Sequence, residues 1–259
     1  MTNENLKQFL IELGKKGMRT DGRSLLEYRK PIQIETGISK NAEGSAMVTM
    51  GNTRVVCGVK MEVGKPYQDK PNEGSLIVSA EFSPLASPLF ETGPPGEESI
   101  ELARIVDRGI RESGAIDVKK FCIKEGEKVW LALIDIYIQN HDGNLIDAAA
   151  LAAIAALHNA RFPKYEDEKI DYSEHTNQKL PMVHKPIATT FAKIGDILVL
   201  DTTVKEEQVA DVRVTITTDE HGTINAAQKG GSDTINVEEL NHIIGLAIEK
   251  AKELRSHLE

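Results

Sequence analysis

The feature that most constrains the fold is a ten-residue run, 148–157, that contains only alanine, leucine and isoleucine. A helix that is apolar on every side must be covered on more than one face, so this run predicts a central buried helix. The preceding segment, 139–147, joins a predicted strand to the start of that helix through Gly143. Such a turn can receive an anion, because free N–H groups and the helix dipole both face it. An enzyme that uses phosphate would add a hydroxyl and an arginine, but this chain has Asn144 and Leu145. The segment therefore predicts the scaffold of a phosphate-using enzyme that has lost the residues needed for catalysis.

The rest of the chain mixes strand and helix patterns. Alternating apolar residues around Gly51-Asn52 predict a β-hairpin, because this dipeptide favours a two-residue turn. Helical periodicity predicts further helices at 3–14, where Asn3 could cap, at 98–113 and at about 235–257. Further strands are expected at 129–138, 183–192, 196–204 and 209–218. This order favours an α+β fold over a wound parallel sheet.

Two polar segments do not fit either pattern. Residues 163–180 are rich in charge and in turn-forming side chains, and we expect an exposed excursion there. The segment 228–231 contains two glycines but is too short for a nucleotide-binding loop, so it predicts a tight turn.

An ordered series of motifs gives the chain a family resemblance. Residues 18–23, 28–31 and 43–57, then the helix at 99–111 and the junction at 139–147, resemble the RNase PH family, as does the strand pair around 198–201. The resemblance runs from about Lys16 to the C-terminus. It implies an α+β, RNase PH-like fold of the ribosomal protein S5 domain 2-like class, with duplicated βαβα halves and helices packed between mixed sheets. The expected division is an N-terminal helical arm, 1–15, and a single RNase PH-like domain, 16–259.

Two departures from the active members of that family bear on catalysis. Active members carry Gly-Thr/Ser-Arg where this chain has Gly143-Asn144-Leu145, and two aspartates where counting from Asp201 gives Glu207 and Arg213. The sequence thus most resembles the non-catalytic RNase PH-like subunits of the archaeal exosome, a ring that degrades RNA from its 3′ end. This resemblance implies no catalytic residue and no metal or cofactor bound by the chain itself.

The same resemblance implies partners. It predicts an active RNase PH-like sister subunit in a hetero-hexameric ring, with single-stranded RNA as the ligand. Inorganic phosphate would be the co-substrate of the assembled complex, and a further RNA-binding cap subunit is left open.

Three arginines on one predicted helix are the candidate RNA-binding residues. Arg104, Arg108 and Arg111 are spaced i, i+4, i+7 and so fall on one helical face. One guanidinium group can bind two phosphate oxygens at once. The resemblance places Arg104 and Arg108 beside the sister subunit's active site. The alternative is a solvated helix face with local ion pairs, such as Asp107 with Arg111.

The other candidates favour structural roles. Arg19, Asp21 and Arg23 surround a glycine turn and predict an ion pair that fixes a loop, while Arg54 is equally consistent with either role. The seven histidines form no recognisable metal or catalytic motif. Asp135 is expected to accept hydrogen bonds at a strand rather than to bind a divalent ion; the same holds for Asp147 at a helix start.

Charge and cysteine content narrow the class of protein. The chain has 40 acidic and 31 basic residues, a net charge of −9, so any RNA contact must come from a local basic cluster or a partner. Cys57 and Cys122 lie in apolar segments without metal-ligand spacing, which is typical of a reducing compartment. With no apolar run long enough to span a bilayer and no signal-like N-terminus, we expect a cytoplasmic location and no membrane. Two alternatives remain: an active phosphorolytic exoribonuclease, and an α+β scaffold protein without RNA contact.

Overall fold

The structure, a computed structural model, describes residues 2–258, and the side chains of all of these except 173–175. Within this range the α-helices are α1 (Asn3–Gly14), α2 (Glu97–Glu112), α3 (Leu145–Asn159), α4 (Val204–Glu207) and α5 (Val237–Arg255). The strands are β1 (Ile32–Thr36), β2 (Gly44–Met50), β3 (Thr53–Gly64), β4 (Ser75–Phe82), β5 (Cys122–Lys124), β6 (Lys128–Asn140), β7 (Arg161–Glu166), β8 (Lys169–Lys179), β9 (Ile187–Ile194), β10 (Ile197–Leu200), β11 (Val212–Thr218) and β12 (Ile224–Gly230).

The strands form two main sheets and one hairpin. The larger sheet has the order β1-β2-β3-β6-β4, with β5 also paired to β6, and the smaller has the order β10-β9-β11-β12. The separate hairpin consists of β7 and β8. Neighbouring strands are antiparallel except β4 and β6, which run parallel. Mixed sheets of this kind confirm the predicted α+β class.

Helix α3 lies between the two sheets, as its composition predicts. It packs against β2 and β3 on one side and against β9 and α2 on another. Residues 145–157 are all buried. Small side chains allow this close packing: a Cβ atom at Gly44 of β2 would lie 2.4 Å from the carbonyl oxygen of Ala156. Gly44 and the small side chains of α3 therefore let β2 approach the helix backbone closely.

Local signals account for several boundaries. The predicted hairpin joins β2 to β3, with Gly51 at φ +58° and Met50 paired with Thr53. At α1 the capping residue is Thr2 rather than Asn3, because the Thr2 hydroxyl accepts the backbone N–H of Asn5. Asn236 caps α5 through a reciprocal pair of hydrogen bonds with Glu239.

Three local predictions were wrong in part. The described side chains of segment 163–180 are mostly exposed, as predicted, but the segment forms the β7–β8 hairpin, because its backbone pairs with itself and Tyr165 packs on Trp130. Residues 228–230 continue β12, because their backbone pairs with β11, so the turn begins only at Gly231, with φ +84°. The strand predicted at 196–204 ends at Leu200, where Asp201 adopts φ +52°.

The N-terminal helix docks on the smaller sheet. Leu10 of α1 joins a small apolar cluster with Ile194 and Ile197 of β9 and β10. Among the described residues no helix is long and apolar enough to cross a membrane.

Candidate functional site

The loop between β6 and α3 has a backbone that few sequences can adopt. Gly143 has φ +100°, and a Cβ atom there would lie 2.1 Å from the carbonyl oxygen of Thr202. Asn144, the residue before α3, is in the left-handed region with φ +48° and is buried. The start of α3 thus packs directly against the segment that follows β10. This packing limits which groups can lie at the N-terminal end of α3, the mouth of the helix.

Asp201 is the centre of a buried polar network beside that mouth. Its carboxylate is fully buried and accepts the Arg29 backbone N–H at 2.6 Å and the Arg29 Nη2 at 2.9 Å. It also accepts Arg23 Nη1 at 3.0 Å and Asn144 Nδ2 at 2.9 Å. Although burial opposes its charge, these donors hold the pKa of Asp201 below its usual value. Asp201 therefore remains a carboxylate that joins α3 to the N-terminal loop.

The charged trio predicted to fix a loop does so. Arg19 is buried and donates to both carboxylate oxygens of Glu206, with the Nε contact at 2.9 Å. Arg23 donates to Asp21 at 2.8 Å and to Asp201. Sequence reasoning missed Arg29, which contacts Asp201 and the carbonyl oxygen of Gly143. The signal was present, since Arg29 belongs to the motif at 28–31.

Glu207 places a carboxylate at the mouth of α3. Its Oε1 accepts the backbone N–H of Asn144 at 2.7 Å and the Thr202 hydroxyl at 3.1 Å. An N–H group that could receive a bound anion is thus already satisfied by a side chain of the same protein. The neighbouring Leu145 adds no donor from its side chain. A phosphate bound at this mouth would lie beside the Glu207 carboxylate rather than beside positively charged donors.

A cleft of about 610 Å³ opens beside this mouth. Its ionisable lining residues include Glu98, Glu101 and Glu207 but only one arginine, Arg213, which pairs with Glu101 at 2.6 Å. His141 also lines the cleft, and burial with the nearby Arg29 lowers its pKa, so the ring is neutral at pH 7. Acidic side chains thus outnumber basic ones in the lining of the cleft, which disfavours phosphate.

Two aspartates discussed as possible cation ligands accept hydrogen bonds instead. Asp147 accepts the backbone N–H and the hydroxyl of Thr190 at 3.0 and 2.7 Å, and Nδ2 of Asn144 at 2.9 Å. Burial raises the pKa of Asp147 to about 7 despite these donors. Asp135 accepts the hydroxyl of Ser79 at 2.6 Å. Both carboxylates thus have the structural role predicted for them.

Two of the three candidate arginines line a separate groove. Arg104 and Arg108 are exposed on α2 and face a groove of about 360 Å³ whose opposite wall includes Thr217 and Gln228 of β11 and β12. Arg108 donates to Oε1 of Gln228 at 3.3 Å. Within residues 2–258 the Arg104 side chain has no hydrogen bond or ion pair, because Glu101, its predicted partner, is held by Arg213. A free guanidinium therefore points into solvent beside a second one.

The third arginine has a different environment. Arg111 pairs with Asp107 at 2.7 Å, as predicted for a local ion pair, and donates to the backbone carbonyl of Leu76 in β4 at 3.2 Å. Arg54 is exposed, and among the described residues its side chain has no hydrogen-bond partner. The three arginines of the predicted helical face thus differ: Arg104 and Arg108 line the groove, and Arg111 binds Asp107 and the backbone of β4.

Comparison with known sequence families identifies the class of protein. The profile of the 3′ exoribonuclease family, domain 1, matches residues 28–163, and that of domain 2 matches residues 184–250. The chain therefore belongs to this family, RNase PH, and the predicted RNase PH-like fold is confirmed.

Individual relatives are similar over nearly the whole chain. The exosome complex component Rrp42 of Methanocella arvoryzae is 47% identical over 98% of this chain and 95% of its own length. Its counterpart in Pyrococcus horikoshii is 46% identical, with 96% and 92% covered. A solved structure of the Archaeoglobus fulgidus exosome with RNA bound to the active site contains a chain with 43% identity and a TM-score of 0.92, with 99% of each chain covered. An archaeal exosome core contains another, with 39% identity, a TM-score of 0.87, and 99% and 97% covered.

Proposed function

We propose that this protein is a non-catalytic subunit of an archaeal-type exosome core, a ring-shaped phosphorolytic 3′–5′ exoribonuclease. It supports an active RNase PH-like sister subunit in a hetero-hexameric ring. Through Arg104 and Arg108 it adds RNA-binding groups to a shared site. Inorganic phosphate is the co-substrate of the assembled complex and is not bound by this chain.

The observation that carries the non-catalytic assignment is the Glu207 carboxylate at the mouth of α3. A phosphorolytic site needs positive charge and free donors there to hold the attacking phosphate. In this chain a carboxylate takes the Asn144 N–H, and the adjoining cleft has more acids than bases. Arg29 cannot serve as the phosphate-binding arginine, because its N–H donors are already bound to Asp201 and to backbone carbonyl oxygens.

The RNA-binding assignment is supported by the groove that Arg104 and Arg108 line. Like charges side by side on a helix repel unless an anion meets them, and an RNA backbone supplies phosphates at a suitable spacing. Since the chain as a whole is acidic, this local pair would confer RNA contact without general affinity for nucleic acid. The relative from Archaeoglobus fulgidus is described with RNA bound to an active site, which agrees with a role near RNA.

The location proposed for the complex is the cytoplasm. Cys57 and Cys122 are both free, and Cys57 is buried, where burial raises its thiol pKa and leaves it unreactive. Unpaired cysteines of this kind are typical of proteins in a reducing compartment.

The test compares three purified samples: this chain alone, the RNase PH-like sister chain alone, and the co-expressed complex. Each receives a single-stranded RNA in phosphate buffer, and nucleoside diphosphate release is measured. We expect release from the complex and none from this chain alone, since loss of one transition-state contact can reduce the rate by about 10² to 10³. In the complex, Glu207→Gln should leave the rate within about twofold. Release by the isolated chain at the rate of the complex would show an active phosphorolytic enzyme instead.

A further inference from the structure

The structure brings together three side chains of metal-ligating types from two separate segments of the chain. His184 precedes β9, while Glu220 and His221 lie in the turn between β11 and β12. One ligand atom from each of the three lies within 4.8 Å of the other two. His184 Nδ1 is 3.0 Å from Oε1 of Glu220, and His221 Nε2 is 4.0 Å from the same oxygen. Spacing along the chain gives no sign of this group, because 36 residues separate His184 from Glu220.

We propose that His184, Glu220 and His221 form a binding site for a divalent transition metal of the Zn²⁺ class. Imidazole nitrogens with one carboxylate suit zinc and its neighbours, whereas Ca²⁺ and Mg²⁺ prefer oxygen ligands alone. Tetrahedral zinc with bonds of about 2.0 to 2.1 Å holds its ligand atoms about 3.3 Å apart. The His184–Glu220 separation is already close to this value, and the exposed His221 ring needs to move by roughly 1 Å. A water molecule would complete the coordination.

The backbone around the three ligands is fixed by other groups. The second oxygen of Glu220, Oε2, accepts the backbone N–H of Lys185 at 3.0 Å, which orients the carboxylate. Asp219 accepts the backbone N–H groups of His221 and Thr223, both at 2.9 Å, and thereby shapes the turn. A site whose ligands are oriented in this way binds more tightly than one assembled from mobile side chains.

Arg255 of α5 anchors both segments that carry the ligands. It donates to the carbonyl oxygen of Lys185 at 3.0 Å and to that of Thr218 at 2.7 Å. The His184 segment and the Glu220 turn therefore keep their relative position before any ion binds. A bound ion would tie the start of β9 to the β11–β12 hairpin, whose strands also wall the arginine groove.

The experiment titrates the full-length chain, freed of metal by a chelator, with ZnCl₂ in a calorimeter. We expect one Zn²⁺ per chain, and binding weakened at least tenfold by His221→Ala and by Glu220→Gln. His242→Ala, which removes an exposed histidine on α5, is the matched control and should bind like the wild type. CaCl₂ should give no stoichiometric binding.

A second measurement uses only the wild-type chain and therefore tests the site even if a variant folds poorly. Co²⁺ added to the wild-type chain should give the visible absorption of a tetrahedral site, and an excess of Zn²⁺ should abolish it. Equal Zn²⁺ affinity in the wild type, His221→Ala and Glu220→Gln would overturn the proposal. So would equal losses in His221→Ala and His242→Ala, because they would indicate only scattered binding to surface histidines.

Discussion

At the scale of single residues, the mouth of α3 shows how one buried acid organises a site. Asp201 receives hydrogen bonds from Arg23, Arg29 and Asn144, which come from two separate parts of the chain. Burying a carboxylate is unfavourable unless it is paired and fully hydrogen-bonded, so these partners stabilise the buried Asp201. The polar network at the start of α3 thus contributes to the stability of the fold.

The first prediction concerns Arg29, the main partner of Asp201. Arg29→Met keeps much of the side-chain volume but leaves the Asp201 carboxylate without its nearest charge, so the free energy of unfolding should fall by about 3 to 5 kcal/mol. Arg54→Met, at an exposed position, is the control and should change it by no more than about 0.5 kcal/mol. Urea unfolding followed by circular dichroism measures both. Equal stability of the two variants would contradict the role given to Asp201.

The second prediction concerns Asp147, whose pKa burial raises to about 7 from its ordinary value of 3.8. Between these two values the folded protein keeps a proton that the unfolded chain releases, so raising the pH favours unfolding. The contribution should lower stability by at most about 1.4 kcal/mol per pH unit across that window. Asp147→Asn cannot titrate, and its unfolding free energy should lack this dependence. A wild-type minus variant difference that is constant from pH 4 to pH 7 would contradict the prediction.

At the scale of elements, helix α2 serves two surfaces. Its buried residues, including Leu102 and Ile110, pack into the core, while Arg104 and Arg108 face the groove. Arg111 points towards β4 and binds the carbonyl oxygen of Leu76. The three guanidinium groups belong to one predicted face of the helix, but neighbouring elements give them different roles.

The third prediction tests this division in the assembled complex. Replacing Arg104 and Arg108 with Ala should weaken binding of single-stranded RNA whatever its sequence. The slope of log affinity against log salt should become shallower by roughly one unit for each lost phosphate contact. Arg111→Ala is the matched control, since it removes an exposed ion pair worth less than about 1 kcal/mol and should leave the slope unchanged. If the double variant and the wild type had equal RNA affinities and equal salt slopes, Arg104 and Arg108 would belong to a solvated helix surface that does not bind RNA.

Much of the fold could be predicted from local sequence, and the exceptions have a physical reason. A continuous apolar run predicts α3 and apolar periodicity predicts α5, because burial of all faces or of one face decides where these helices lie. The β7–β8 hairpin and β12 were missed because backbone pairing, rather than apolar side chains, defines them. The site was predictable only in part. The sequence at 144–145 shows that the expected hydroxyl and arginine are replaced by Asn144 and Leu145. The contact of Glu207 with Asn144 could not be predicted, because it depends on how β10 approaches α3.

The same limit applies to the metal-binding group. Its ligands come from two segments that are brought together by the pairing of β9 with β11 and by Arg255 of α5. Histidine spacing along the chain therefore could not indicate it.

At the scale of the whole molecule, the two sheets end in strands that can pair further. In the described range β4 ends the larger sheet and β12 ends the smaller one, and each exposes an isoleucine, Ile77 at 48% and Ile224 at 42%. Leu85 and Leu89, after β4, are 86% and 65% exposed. Exposed strand edges with apolar side chains favour association, and closure into a ring satisfies them without leaving free ends. This arrangement agrees with a subunit that assembles into a ring.

The fourth prediction is that assembly with an RNase PH-like sister chain depends on these edges. The co-expressed pair should elute as one hexameric species whose mass, from light scattering, does not change with concentration, whereas this chain alone should self-associate. Ile77→Lys with Ile224→Lys should weaken assembly, because lysine at a sheet edge opposes pairing. Val237→Lys, at another exposed apolar position, is the control and should assemble normally. A well-behaved monomer that ignores the sister chain would contradict the proposed ring, because an uncovered edge would then be stable by itself.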